Sequence, residues 1–211
     1  MDDRQFIDSE LSFKECFVLY KKAECLIKTI EHQDYDNFIR GTYIPAINDL
    51  RYAGRHILEA IDSSNPSKIK ENLDEAIDHC NRAIYDAYEI GILLFSNQFK
   101  IISDNFKHLN LSTELNFWIE LQKILIDSSN YINTTNKSTM AKEKFTTVES
   151  FYNELKDYYD KFLLNKETLI SSENKKVQHN IEILARGLLF GPSIALVLFL
   201  IFVLLSNYIL R

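Results

Sequence analysis

Turn-formers are scarce in this chain: 5 glycines and 3 prolines among 211 residues. A sandwich or barrel needs a tight turn roughly every 8–12 residues, so both are excluded. None of the five glycines has the spacing of a Walker loop or a G-x-G-x-x-G turn, which removes nucleotide binding by those routes. Cysteines are few and odd in number. Cys16, Cys25 and Cys80 form no C-x-x-C and no short pairing with histidine, so they are expected to be buried free thiols in a reducing compartment. None of His32, His56, His79, His108 and His179 has a glutamate three residues earlier, and no H-E-x-x-H occurs. Glu75 and His79 lie one helical turn apart, but no second pair completes four ligands. No metal and no cofactor are expected. Positive charge is the minority sign, 24 basic against 30 acidic side chains, for a net charge of −6. The deficit sits in residues 1–136, where an acidic body repels phosphate and makes nucleic acid an unlikely partner class. The opening Met1-Asp2-Asp3-Arg4-Gln5 predicts no secretory signal.

What is present is helical periodicity. Ser12-Phe13-Lys14-Glu15 has the form of a capping box, opening a stripe at Phe13, Cys16, Phe17, Tyr20, Ala23, Ile27 and Ile30. After a link holding Gly41 and Pro45, Ile47, Leu50, Gly54, Ile57 and Ile61 mark a second helix, with Gly54 expected where another helix approaches closely. Asp62 to Pro66 is a break, with Pro66 suited to a first helical position. A long third helix carries Ile69, Leu73, Ala76, Cys80, Ile84, Ala87, Gly91 and Leu94 on one face, with a kink expected near Gly91 or Ser96-Asn97. A fourth restarts at Ser112-Thr113-Glu114, and Asp127 to Ser138 reads as the longest loop. Phe145, Val148, Tyr152, Leu155, Tyr159, Phe162, Lys166 and Leu169 then follow seven-residue spacing. This suits either a fifth helix packed on the bundle, which the aromatics favour, or a stalk that pairs between protomers. The pattern breaks at Ser171-Ser172-Glu173 and resumes at Val177, Ile181, Leu184 and Leu188.

From Gly187 to Leu210 no residue carries a formal charge. As a helix this run spans about 36 Å, enough to cross a hydrocarbon core of about 30 Å. Lys175, Lys176 and Arg186 precede it and only Arg211 follows, so the first 186 residues are expected on the cytosolic side. Gly187, Gly191 and Ala195 recur every four residues, a spacing that promotes helix association, and Ser193 and Asn207 are placed to hydrogen-bond between helices. The predicted class is therefore all-α: a four- to five-helix cytosolic bundle whose heptad-like final helix leads into a single C-terminal transmembrane helix. It divides into an acidic helical bundle (1–136), a heptad-patterned helix or stalk that either joins the bundle or stands apart (137–186) and a membrane anchor (187–211). Lysine over arginine, 17 to 7, and abundant Ile and Asn suggest an AT-rich, commonly bacterial genome and thus a bacterial inner membrane.

Arg51-Tyr52-Ala53-Gly54-Arg55-His56 resembles the R-x4–6-H element of HEPN ribonucleases, which are also small helical bundles. That resemblance implies a metal-independent ribonuclease in which His56 moves a proton and Arg51 stabilises the phosphorane. Tyr52 departs from the polar residue usual after the arginine, and a regular helix sets Arg51 and His56 about 140° apart. Asp78, His79, Arg82 and Asp86 form a polar stripe at ion-pair spacing. An antiparallel hairpin of helices two and three would bring Arg51 and Arg55 to it, making a ligand or partner surface. The leading expectation is non-enzymatic: an oligomeric sensor or effector in contact with membrane lipid and a cytosolic protein or small ligand. A bacterial membrane-disrupting toxin or phage-defence effector is its concrete form. An inert adaptor, or a tether resembling tail-anchored fusion proteins, is the other reading.

Overall fold

A computed structural model of the protein describes residues 3–34, 38, 41–134 and 142–209, with side chains for 10–34, 38, 41–134 and 145–185. Among the described residues there are six helices and no strand: α1 (Asp3–Gln33), α2 (Ile44–Asp62), α3 (Pro66–Asn105), α4 (Leu111–Glu114), α5 (Trp118–Thr134) and α6 (Lys142–Ile209). Helix α3 is the axis, packed by α1, α2, α5 and α6. Cys16 meets Leu73 and Gln98 reaches the Gln33 carbonyl, so α1 runs parallel to α3. Tyr88 meets Glu149 and Phe99 meets Tyr159, so α6 is parallel too. His56 against Asn72 and Asp49 against His79 make α2 antiparallel. Around residues 83–95 α3 is covered on nearly every side, with Tyr85 and Phe95 wholly enclosed. Earlier in the helix only the stripe Leu73, Ala76 and Cys80 is buried.

Several element boundaries differ from the sequence reading. The Ser12 capping box lies inside α1, which begins at Asp3. The Asp127–Ser138 stretch is helical as far as Thr134. There Ser128 Oγ donates to the Leu125 carbonyl, and Thr134 Oγ1 to those of Asn130 and Tyr131. These hydroxyls turn back onto the helix rather than breaking it, while Tyr131 and Ile132 pack on the core. The restart at Ser112 is the four-residue α4, so the bundle has one helix more than expected. Asn65 caps α3 by accepting from Ser67 N, with Pro66 at the first turn. Helix α2 turns Ala46, Leu50, Ala53, His56 and Ala60 inward, leaving Ile47 and Ile61 exposed. Its alanines let α2 and α3 close on each other, which larger side chains one position along would prevent. Gly54 thus lies off the contact, and the close approach falls instead at Gly91.

Helix α6 passes through Ser171-Ser172-Glu173 without a break. Its first seam, through Val148, Tyr152, Leu155, Phe162 and Leu169, is buried against the bundle. Continued by sevens that seam would fall at 176, 180 and 183. The stripe at Val177, Ile181 and Leu184 comes one residue later, about 100° around the helix. Ile181 and Leu184 are exposed. Among the described residues no helix is long and apolar enough to cross a membrane. The run holding Gly187, Gly191, Ser193, Ala195 and Asn207 lies outside the residues whose side chains are described.

Candidate functional site

Helices α2 and α3 are clasped by two histidines that sequence alone did not pair. His56, 6% exposed, sets Nε2 at 3.0 Å from Glu75 Oε2 and Nδ1 at 3.1 Å from Asn72 Oδ1. Asn72 Nδ2 donates to the Lys68 carbonyl, which leaves its oxygen to face the ring. His79 answers in the opposite direction, with Nδ1 2.7 Å from Asp49 Oδ1. The two imidazoles stack at 5.5 Å with their planes 14° apart, and Tyr52 lies against His79 at 5.3 Å. Each helix thus supplies a histidine to a carboxylate on the other. Such reciprocal pairs fix the register of a hairpin, and both His56 nitrogens are already engaged.

The predicted site residues are divided rather than gathered. Arg51 donates to Asn48 on its own helix, and Arg55 pairs with Glu59 and lies over the Tyr52 ring. Both line the α1 side of α2: Arg51, five residues from His56, lies about 140° from it around the helix, while Arg55 and His56 approach the same Glu59 carboxylate. Among the described residues neither Arg51 nor Arg55 pairs with an α3 acid; across the interface His56 meets Glu75 and Asp49 meets His79. Asp78 and Arg82 are exposed, Asp86 is half-buried, and His79 of that stripe pairs across the α2–α3 interface. Among the described residues no three His, Cys, Asp or Glu side chains are grouped to hold a metal ion.

Arg51 and Arg55 instead line an open groove of about 850 Å³ between α1 and α2, walled by Phe13, Phe17, Tyr20 and Leu58. Phe17 and Leu58 are 60% and 67% exposed. Phe17 was expected in the core; it opens onto this groove because the buried line of α1 is Cys16, Ala23, Ile27 and Ile30. Cys16 and Cys80 are buried, and burial pushes their thiols up to about 11 and about 12. Cys25 departs from expectation in being exposed.

A polar junction with no signal in the sequence joins α1, α3 and α6. Glu149 Oε1 accepts from Tyr88 Oη at 2.6 Å and from Lys22 Nζ at 2.8 Å. The lysine also lies over the Phe145 ring at 5.0 Å. Burial works against the Glu149 carboxylate, but the hydrogen bonds from Lys22 and Tyr88 together outweigh it and hold its pKa below the usual value. The Tyr88 hydroxyl is pushed up, first by burial and then by Glu149. Compared with known proteins, the chain matches no family model, no curated protein and no solved structure.

Proposed function

We propose that the chain is a membrane-anchored helical effector whose bundle binds a partner and whose last helix self-associates, in the manner of a bacterial membrane-disrupting toxin or phage-defence protein. The observation that carries this reading is the exposed stripe of Ile181 and Leu184, where α6 has left the bundle. Counted by heptads, the stripe continues at Leu188, Gly191 and Ala195. One seam therefore runs from an apolar stalk into the small-residue positions that let membrane helices touch. The anchor and its cytosolic-side bundle are supported by the uncharged run 187–210 and by Lys175, Lys176 and Arg186 before it.

Membrane potential in cells induced to express the full chain, beside a chain ending at Arg186, tests the reading. The full chain is expected to depolarise the membrane and the shorter one to leave it unchanged. Depolarisation by neither, or by both alike, removes clustering of the anchors as the mechanism. We assign the partner to the groove between α1 and α2, which suits an amphipathic helix carrying carboxylates opposite Arg51 and Arg55. Arg51→Glu with Arg55→Glu is expected to abolish depolarisation while leaving the urea midpoint in place. Undiminished depolarisation in that variant takes the groove out of the mechanism.

A further inference from the structure

Where α3 ends and α6 is about to leave the bundle, a cavity of about 520 Å³ opens between them beside Asp34 and Phe38. That volume lies within the roughly 300–1,000 Å³ usual for small-molecule sites. Its apolar wall is aromatic, built from Phe106, Tyr159 and Phe162. Its polar wall includes Lys166 and three asparagines, yet the buried atoms left unmatched on it are acceptors. Gln98 Oε1 and Glu173 Oε2 are buried oxygens to which no group donates among the described residues, and Gln33 Oε1 is in the same condition. The orientation of the Gln98 amide is fixed, because Nε2 donates to the Gln33 carbonyl at 3.1 Å and leaves the oxygen as the unmatched atom. A carboxylate and an amide oxygen can only accept, so the group that complements them must donate. With one oxygen buried in a cavity that also presents aromatic faces, the Glu173 carboxylate calls for a donor that is also a cation. Lys166 lines the same cavity but is exposed, and among the described residues it forms no ion pair with Glu173.

We infer that this cavity binds a small organic amine. Its ammonium donates to Gln98 Oε1 and Glu173 Oε2, and its apolar part lies against Phe106, Tyr159 and Phe162. Glu173 is the point on α6 where the bundle-facing seam gives way to the exposed stripe, so a bound amine ties α3 to α6 at the root of the stalk. All of these residues precede 186, and the site stands whether or not the chain is anchored in a membrane.

Calorimetric titration of the full chain with phenethylamine tests the inference, with 2-phenylethanol and 3-phenylpropionate as matched neutral and anionic probes. Phenethylamine is expected to bind saturably and at least about tenfold more tightly than either. Glu173→Gln is expected to weaken it by about tenfold or more, the loss due to one charge-assisted hydrogen bond. Lys166→Met, which removes the competing cation, is expected to retain binding. Equal binding of the alcohol or the acid, an affinity unmoved by Glu173→Gln, loss of binding in Lys166→Met, or no saturable amine binding up to millimolar concentration would each overturn it. Circular dichroism confirms that each variant remains helical, and Glu173→Gln keeps the size of the half-buried side chain.

Discussion

Gly91→Val is expected to leave the chain unable to form its native bundle, and Gly91→Ala to lower the free energy of unfolding by about 1–3 kcal/mol. A β-carbon at this position would run into Cε2 and Cδ2 of Tyr152, the latter at 2.6 Å, and would stand 3.2 Å from Ile30 Cδ1. Tyr152 has nowhere to go. Its ring is 4% exposed and wedged between Tyr88 at 5.2 Å and Phe95 at 5.6 Å. The only relief is to move α6 away from α3, which opens the aromatic layer along the whole contact. Gly54→Ala is the control, because only Tyr20 Cε2 comes within reach there, at 4.0 Å. The better helix former should stabilise that position by up to about 1 kcal/mol. Urea unfolding followed through Trp118, the single and buried tryptophan, reads both variants. A Gly91→Ala midpoint equal to that of the parent chain would show that α6 does not rest against the glycine.

Glu149→Ala is expected to cost about 2–3 kcal/mol at neutral pH, because it strands the buried Tyr88 hydroxyl as well as removing the partner of Lys22. The lysine is the lesser loss, since its side chain is 39% exposed and water replaces the carboxylate. The effect carries a pH signature. The folded-state pKa of Glu149 lies below its ordinary value of 4.5, so the carboxylate contributes its stability above that pH. The contribution is lost as pH falls through the folded pKa. The gap in unfolding free energy between the parent chain and Glu149→Ala should therefore narrow on acidification below about 4.5. A gap independent of pH would assign the loss to packing alone.

Periodicity made the helices legible, since apolar spacing of three and four reports burial wherever one face is covered. The seven-residue spacing from Phe145 to Leu169 marked the α6 seam, and the aromatics on it favoured packing on the bundle over a stalk. Periodicity failed where small residues made the contact: Ala46, Ala53 and Ala60 carry little hydropathy signal, yet they seat α2 on α3. The larger Ile47 and Ile61 drew the expected face one position off. It failed again at Asp127–Thr134, where hydroxyls that usually break helices bond back to helical carbonyls. The histidine clasp was half legible. His56 and His79 each stood out, but their meeting depends on that alanine face, and each was read with the wrong company, Arg51 for one and the Asp78–Arg82 stripe for the other. The Lys22–Glu149–Tyr88 junction was invisible, because its members lie 127 and 61 positions apart with no local spacing to join them.

Helix α6 is unbroken over 68 residues, close to 100 Å at about 1.5 Å per residue. Its lower part is gripped by a collar of interleaved rings from Tyr152 to Phe162, and the stretch 174–185 above it is largely exposed. A rod held in this way passes on rotation more readily than tilt. Ile181 and Leu184 present themselves at an azimuth fixed about 30 Å below them, where Tyr159 and Phe162 sit among Phe95, Phe99 and Phe106. Slipping the collar by a single residue would swing that outer stripe through about 100°. The bundle is thus an angular reference for whatever meets the far end of the helix.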